Sequence, residues 1–229
     1  MKTIGMLGGM SWESTSVYYR MINEATKRAL GGFHSAPIAM VSVDFAEIEE
    51  LQQRCDWTAS ADLLSVNARQ IEAAGAELLL ICTNTMHKVA DEIAAAVKIP
   101  LLHIADATAS RIIAAGYSKV GLLGTRFTME EKFYSGRLEQ LGLEVLTPNE
   151  ADRILIHRVI YEELCMGEIR DDSRRDFVSI IDRLSDAGAE CVVEGCTEIT
   201  MLVGPDDVRV PLFDTTAIHA EEAVAMALQ

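Results

Sequence analysis

The stretch AGAELLLICTNT, residues 74–85, occurs a second time as AGAECVVEGCTE, residues 187–198. Aligned without a gap, the two stretches pair Thr83 with Cys196, at a separation of 113 residues. Each has a glycine where a helix needs a left-handed end, then a short apolar run, then a hydroxyl or a thiol. The repeat therefore predicts two similar lobes, each with a strand that ends in a reactive side chain.

Two other pairs of segments extend the repeat. Residues 4–9, IGMLGG, resemble residues 120–125, VGLLGT, and residues 106–109, DATA, resemble residues 214–217, DTTA. Chance similarity is the alternative explanation, because α/β proteins reuse strand and turn sequences. Since the three pairs occur in the same order with similar spacing, we interpret them as an internal duplication.

Short runs of Ile, Val and Leu alternate with longer stretches of helical period along the chain. This alternation is typical of parallel βα units, so we predict an α/β fold of two pseudosymmetric doubly wound lobes. Each lobe should hold a mainly parallel four-stranded sheet flanked by helices, with the active site in the cleft between the lobes, at the carboxyl ends of the strands. Residues 1–98 plus 214–229 form the first predicted lobe, and residues 99–213 form the second. The predicted strands lie near residues 2–7, 37–43, 77–82, 100–104, 118–123, 143–147, 190–195 and 209–213.

One helix has an explicit start signal. Thr128-Met-Glu-Glu131 has the pattern of a capping box, which predicts a helix that begins there and continues to about residue 140. The last helix is predicted to begin near Thr215 and to pack back on the first lobe.

Composition excludes several classes of protein. The 229 residues, about half of them apolar, include 20 basic and 35 acidic side chains, for a net charge of −15, so an extended nucleic-acid surface is not expected. Five cysteines without a C-x-x-C pair indicate neither a disulfide framework nor a zinc site, and they fit a reducing compartment. No apolar run approaches the roughly 18 residues that a membrane span needs, so we expect a cytoplasmic protein.

Cys196 is the strongest candidate for chemistry. It follows an apolar run and Gly195, so it should lie exposed at the carboxyl end of a strand, where amides of the next helix could stabilise a thiolate. This placement predicts a thiol base or nucleophile. Cys191, inside the same strand, and Cys82, which aligns with Gly195 in the repeat, are interpreted as packed core thiols.

The block Thr83-Asn84-Thr85 offers hydroxyls, an amide and free backbone donors at the head of a helix, which suits a bound carboxylate. The turn at residues 8–11, which contains Met10, lacks the third glycine of a dinucleotide fingerprint, and no Walker lysine follows it, so nucleotide binding is weakly supported. That turn could instead bring backbone close to a small substrate. Gln52 and Thr125 are candidates for contacting the substrate side chain.

Four of these segments together resemble the aspartate/glutamate racemase family: residues 4–15, residues 83–87, residues 123–125 and residues 195–198. The resemblance covers essentially the whole chain. It implies an isomerase of amino acid metabolism that interconverts L- and D-amino acids. The family resemblance also implies two pseudosymmetric lobes, no cofactor, no metal and a homodimeric assembly. In the family pattern, two cysteines face each other across the α-carbon of the substrate; one removes the proton and the other returns one to the opposite face.

This chain departs from that pattern at two positions. Thr83 stands where the family has its first cysteine, while Cys196 stands where the second is found. The resemblance implies that Cys196 deprotonates the L-substrate and that Thr83 works on the D face. Relatives often carry a lysine where this chain has Cys165, so amino acids other than aspartate and glutamate could also be accepted.

The remaining site residues follow from the chemistry. Removal of an α-proton moves charge onto the α-carboxylate, which hydrogen-bond donors must stabilise. The residues assigned to that clamp are Asn84, Thr85 and Thr197, whereas Glu198 is expected to orient the site or the ammonium group rather than to act as the base. The predicted substrate-binding set is thus Met10, Gln52, Asn84, Thr85, Thr125, Thr197 and Glu198.

Two other functions stay open at this stage. A one-thiol decarboxylase or isomerase of the same superfamily would use a lone cysteine to protonate an enediolate. A non-catalytic amino acid binding protein would also use two lobes around a cleft.

Overall fold

A computed structural model describes all 229 residues, which divide into two compact units. Unit 1 comprises Met1–Ile104 and His219–Gln229, and unit 2 comprises Ala105–Ile218. The lobe boundaries predicted from the sequence differ from these by several residues at each crossing and stay predictions. None of the helices combines the length and the apolar character that crossing a membrane requires.

The sheet of unit 1 has three parallel strands, with β1 (Ile4–Gly8) between β2 (Ile38–Ser42) and β3 (Leu78–Ile81). The prediction of a fourth strand at residues 100–104 was wrong. Only one bridge, between Leu79 and Leu101, forms there, because the next helix already begins at Ile104. The bridge is held by two backbone hydrogen bonds, from the Leu79 amide to the Pro100 carbonyl and from the Leu102 amide to the Leu79 carbonyl.

Helices cover both faces of this sheet, since its strands alternate between two apolar cores. On one face, Leu7 and Ile81 pack with Leu64 and Ile71 of α3. On the other face, strand residues pack with α1 and with the last helix, which confirms that this helix returns to the first lobe. The helices that contribute to unit 1 are α1 (Trp12–Leu30), α2 (Phe45–Gln53), α3 (Trp57–Ala73), a first 3-10 helix (Thr85–Val89), α4 (Ala90–Ala95) and most of α11 (Thr215–Leu228).

Unit 2 contains the predicted four-stranded parallel sheet. Its strands are β4 (Lys119–Gly124), β5 (Glu144–Leu146), β6 (Cys191–Gly195) and β7 (Leu212–Asp214). They lie in the order β5-β4-β6-β7. Its helices are α5 (Ile104–Ala114), α6 (Arg126–Glu130), α7 (Lys132–Gln140), α8 (Glu150–Glu162), a second 3-10 helix (Leu164–Met166), α9 (Asp171–Asp186) and α10 (Ile199–Leu202).

The predicted capping box at Thr128 was wrong. Thr125 is the N-cap instead, and its side chain accepts the amide of Thr128, which already lies inside α6. Glu131 has extended backbone angles and separates α6 from α7, so the predicted single helix is two short ones.

The internal duplication is visible in the backbone of each unit. Gly75 and Gly188 adopt left-handed angles, with φ of 92° and 100°. The carboxylate of the following glutamate then accepts an amide from the strand beside it: Glu77 from Thr3 at 2.8 Å in unit 1, and Glu190 from Ser118 at 2.7 Å in unit 2. Both copies thus enter the sheet in the same way, and β3 and β6 occupy equivalent places.

Replacing Gly9 by alanine should destabilise the fold far more than the same change at Gly31. Both glycines have positive φ, 93° and 76°, so alanine in either place is strained by about 1–2 kcal/mol. A Cβ atom on Gly9 would in addition overlap the backbone nitrogen and oxygen of Val43, whereas one on Gly31 would meet open space. Thermal melting of the two variants tests this, and equal losses would contradict it.

Candidate active site

The first turn of α1 fixes two segments of the site in unit 1. The amide of Gly9 donates to Thr15 Oγ1 at 2.8 Å, and that hydroxyl donates to the carbonyl of Ser11 at 2.8 Å. Ser14 Oγ donates to the carbonyl of Cys82 at 3.2 Å, at the end of β3. The glycine turn, with the buried Met10, is therefore tied to the same helix turn as the segment that leads into Thr83.

The block Thr83-Asn84-Thr85 follows β3 directly and leads into the first 3-10 helix. Asn84 and Thr85 are buried, whereas Thr83 is partly exposed. Cys82 is completely buried in the core between β3, α1 and α11, as predicted, and burial raises the pKa of its thiol far above the ordinary value. Thr83, rather than its cysteine neighbour, is thus the accessible side chain at the end of this strand.

Gln52 lies on α2, and its side chain is directed into the interior. It is 4 % exposed, and its Nε2 donates to the sulfur of Met86 at 3.0 Å, next to the block at residues 83–85. Its assignment as a contact of the substrate side chain stays a prediction.

A buried histidine network in unit 1 was not found from the sequence. The ring of His87 lies 4.6 Å from that of His103 and 5.7 Å from that of His219, measured between centroids. Burial lowers the pKa of His219 to about 4, and burial followed by the two neighbouring imidazoles lowers that of His87. His87 and His219 are therefore uncharged at neutral pH. The only signal in the sequence was the position of His87, four residues after Thr83.

In unit 2, Cys196 follows β6 at the predicted place. Gly195 pairs with Gly124 on β4, and a Cβ atom at either position would press against Thr128, so glycine lets the two strands end side by side. Cys196 itself is partly buried, and its thiol donates to Glu198 Oε2 at 2.9 Å.

The expectation that amides of the next helix stabilise a thiolate was wrong. Burial, followed by the charge of Glu198 and the proximity of Cys165, raises the pKa of Cys196 well above the ordinary value, so the thiol is protonated at rest. A backbone hydrogen bond at Glu198 lowers this pKa but does not outweigh the other effects. The Glu198 carboxylate accepts the thiol hydrogen bond, and its role in orienting the site or the ammonium group stays a prediction.

The end of β6 is tied to the start of α11 through Thr215 and Thr216. Thr215 Oγ1 donates to the carbonyl of Glu194 at 2.8 Å, and Thr216 Oγ1 lies 2.8 Å from Thr197 Oγ1. Asp214 accepts the amides of Thr216 and Ala217 and so caps the helix. Thr197 is thereby held by the neighbouring element, as a residue of a carboxylate clamp would need to be, although that role stays a prediction.

Glu194 is a second feature that sequence reasoning missed. It is 4 % exposed, its Oε1 has no hydrogen-bond partner, and burial followed by the charge of Asp214 raises its pKa to about 8. The carboxyl group two residues before Cys196 is therefore mainly protonated at neutral pH.

Thr125 is buried and caps α6, with its Oγ1 3.3 Å from Thr128 Oγ1. The next amide, of Arg126, donates to His157 Nδ1 at 3.2 Å, and His157 in turn packs against Tyr161, with 4.7 Å between ring centroids. Burial and then the Arg126 cation lower the pKa of His157. This neutral imidazole anchors the turn that contains Thr125, and nothing in the sequence indicated it.

A family model described as Asp/Glu/Hydantoin racemase matches residues 7–223 of the chain. The chain belongs to this family. The chain of a Yersinia pestis protein assigned to the Asp/Glu racemases is 56 % identical, with a TM-score of 0.94 and complete coverage of both chains. An aspartate racemase homologue from Pyrococcus horikoshii is 34 % identical, with a TM-score of 0.87 and complete coverage of both. The broad specificity amino-acid racemase RacX of Bacillus subtilis is 20 % identical over 226 residues, or 98 % of each chain.

Membership of this racemase family confirms the resemblance seen in the sequence and the α/β fold with two parallel sheets. It also supports the isomerase class and a small amino acid as substrate. Neither the preferred side chain nor the Cys196 and Thr83 chemistry follows from membership alone.

Replacing His219 by glutamine should make the pH dependence of unfolding shallower on the acid side. The folded-state pKa of about 4 lies below the ordinary 6.5, so the native state resists protonation and His219 costs stability as the pH falls below 6.5. Between pH 6.5 and 4 this cost grows to about 3 kcal/mol, at 1.36 kcal/mol per pKa unit. Urea unfolding of both proteins from pH 7 to 4 measures it, and a pH-independent difference between them would contradict the assignment.

Replacing Glu198 by glutamine should lower the pKa of Cys196. The carboxylate disfavours a neighbouring thiolate, so its removal should shift the pH midpoint of Cys196 alkylation downward. Iodoacetamide labelling read by mass spectrometry measures this midpoint, and the exposed Cys55 serves as an internal reagent control. A midpoint that stays in place or rises would show that the Glu198 charge does not act on the thiol.

Proposed function

We propose that the chain is a cofactor-independent amino acid racemase for aspartate, glutamate or related amino acids, in which Cys196 and Thr83 exchange the α-proton. The hydrogen bond from the Cys196 thiol to the Glu198 carboxylate carries this proposal. A protonated thiol cannot remove a weakly acidic α-proton, but here its own proton has an acceptor at 2.9 Å. Family membership supports the reaction class.

The first step generates the base. The Cys196 proton moves to Glu198 Oε2, and the thiolate then removes the α-proton of the L-amino acid, so that one proton rests on Glu198 and one on sulfur. Because burial raises the pKa of Cys196, the thiolate exists only briefly and is a strong base when it forms. Glu198 therefore serves as a proton acceptor for the thiol in this proposal.

The electron pair left on the α-carbon is delocalised into the α-carboxylate. Hydrogen-bond donors aimed at that carboxylate lower the barrier, since charge develops there in the transition state. Asn84, Thr85 and Thr197 are proposed for this role. Asn84 and Thr85 are buried beside the start of a 3-10 helix in unit 1, and Thr197 is held by Thr216 in unit 2.

The second step places a proton on the opposite face of the α-carbon. In this proposal Thr83 Oγ donates it and then regains a proton from water, while the extra proton on Glu198 returns to solvent. A hydroxyl is a much weaker acid than a thiol of pKa about 8.5, so this step is the slower one for an L-substrate. Thr83 is partly exposed and follows β3 at the position that aligns with Cys196 after β6, which supports the assignment.

The same proposal includes four further points: the substrate has an acidic side chain, the enzyme forms D-amino acids in the cell, it is located in the cytoplasm, and it is a homodimer. They rest on the family, whereas Met10, Gln52 and Thr125 are the residues of this chain proposed to contact the substrate beyond its α-carbon.

Incubation in heavy water with a panel of L-amino acids, with EDTA and without added cofactor, tests the proposal. L-substrate should lose its α-hydrogen faster than it inverts, because the thiol returns deuterium to the L face more readily than Thr83 delivers it to the D face. Mass spectrometry measures the exchange, and chiral chromatography measures the inversion.

Variants distinguish the two acid–base groups. Cys196→Ala should lower exchange by roughly 10²- to 10⁴-fold, whereas Thr83→Ala should lower inversion and leave exchange from the L-substrate. Thr83→Cys should raise inversion relative to exchange, because a thiol is the better acid. Cys82→Ala is the matched control and should keep both rates near those of the unaltered protein.

Three outcomes would overturn the proposal. Turnover of a malonate-type acid without interconversion of any amino acid would favour a one-thiol decarboxylase, which the single thiol at the paired positions would also allow. Tight amino acid binding without deuterium uptake would favour a binding protein. Loss of exchange in Cys82→Ala but not in Cys196→Ala would overturn the alignment of the two repeats.

A further inference from the structure

We propose that His87 is a positioning residue that fixes the direction of the Thr83 side chain by holding the Thr83 carbonyl with a single neutral tautomer. This inference deepens the proposed function and rests on it. His87 is 2 % exposed and contacts the backbone on both sides of its ring.

The two contacts of the His87 ring leave one arrangement of its proton. Nδ1 lies 2.8 Å from the carbonyl oxygen of Thr83, which can only accept, so Nδ1 must bear the hydrogen. The backbone amide of Ile104 donates to Nε2 at 3.2 Å, so Nε2 must be the bare nitrogen. A charged or flipped imidazole would lose the bond to Ile104.

This bond completes a pair of anchors around Thr83. The peptide before Thr83 is held through the Cys82 carbonyl, which accepts from Ser14 Oγ at 3.2 Å, and the peptide after it is held through the Thr83 carbonyl. Fixing the planes of both flanking peptides fixes φ and ψ of the residue between them. The Cα–Cβ bond of Thr83, and so the origin of its hydroxyl, then has one direction.

The other side of His87 is anchored as firmly. Ile104 begins α5, and the nearby Leu102 carbonyl accepts from His219 Nε2 at 2.9 Å, while His219 Nδ1 accepts from the hydroxyl of Tyr18 at 2.9 Å. The acceptor role of the carbonyl again sets the tautomer of His219. The Thr83 segment is thus linked through two neutral imidazoles to α1, and the two histidines and Tyr18 in this chain of contacts are buried.

The neighbourhood also keeps His87 neutral. Burial disfavours a proton on His87, and so do the neighbouring imidazoles of His103 and His219; hydrogen bonds to the backbone of Thr83 and Asn84 act in the opposite sense, but the pKa of His87 is still lowered. The tautomer required by the two hydrogen bonds is therefore the form that the surroundings select over the physiological pH range.

Two substitutions of His87 separate its two bonds. The amide nitrogen of asparagine reaches the place of Nδ1, so His87→Asn can still donate to the Thr83 carbonyl. The amide of glutamine reaches the place of Nε2, so His87→Gln keeps a contact with Ile104 and leaves the Thr83 carbonyl without its donor. Comparison of the two variants isolates the bond that positions Thr83.

The ratio of deuterium exchange to inversion of the L-substrate is the measurement. His87→Gln should raise this ratio by about tenfold to 10²-fold, because a misplacement of about 1 Å slows only the step that Thr83 performs. His87→Asn should keep the ratio within about twofold of that of the unaltered protein. Cys82→Ala, a purely structural change in the same core, should lower the melting temperature and leave the ratio unchanged.

Parallel loss of exchange and inversion in His87→Gln, or an unchanged ratio, would refute the positioning role. Absence of exchange and inversion in the unaltered protein would instead refute the proposed function. If His87→Gln does not fold, nitrogen-15 NMR of the unaltered protein decides. A hydrogen on Nδ1 and a bare Nε2 from pH 8 to 5 support the proposal, and the opposite tautomer overturns it.

Discussion

The proposed chemistry depends on the hydrogen bond from the Cys196 thiol to the Glu198 carboxylate, which is 2.9 Å long and partly shielded from water. The two groups impose opposite demands. Burial and the negative charge of Glu198 both raise the pKa of Cys196, which makes the resting thiol inert, yet the same carboxylate is the acceptor that can take its proton. A site built in this way stores no thiolate at rest, so an oxidant or an electrophile meets a poor nucleophile. The base appears only when the proton moves to Glu198, and the proposed racemase reaction requires that movement in every turnover.

The two copies of the repeat use different residues to hold the backbone that follows the strand. Each must hold a reactive side chain steady where a strand ends and regular hydrogen bonding stops. In unit 2 the hydroxyl of Thr215 holds the last part of β6 through the Glu194 carbonyl, and Thr197 is held by Thr216. In unit 1 the same task falls to Ser14 and His87, which hold the carbonyls on either side of Thr83. Proton transfer from an alcohol is less favourable than from a thiol, because the alcohol is the weaker acid. Its rate therefore depends more strongly on exact placement of the donor. The hydrogen bonds to the carbonyls on both sides of Thr83 fit that need.

The parts of this structure that could be predicted from the sequence are those that depend on residues close together along the chain. The glycine, apolar run and terminal thiol or hydroxyl of each repeat placed β3, β6, Thr83 and Cys196 correctly, because the pattern of a buried parallel strand is continuous along the chain. The predictions that failed needed tertiary information. The run at residues 100–104 looks like a strand, but α5 begins at Ile104 and leaves room for one bridge. Thr128 matches the first residue of a capping box, yet it lies inside α6 and packs against Gly124 and Gly195. Thr125 is the N-cap of α6 instead. The pKa of Cys196 and the tautomer of His87 depend on groups that meet only in the folded chain.

Two buried titratable groups that the reaction does not use act on stability in opposite directions. His219, with a folded-state pKa of about 4 against an ordinary 6.5, costs stability as the pH falls below 6.5. Glu194, with a pKa raised from 4.5 to about 8, binds its proton more tightly when folded, so it costs stability as the pH rises above 4.5. At no pH do the stability costs of His219 and Glu194 both vanish. Between pH 4.5 and 6.5 the cost of one grows as the cost of the other shrinks, so their sum is nearly constant there, and it rises on either side. The combined cost of these two groups is therefore lowest over a broad range of pH, although neither group alone has such a minimum.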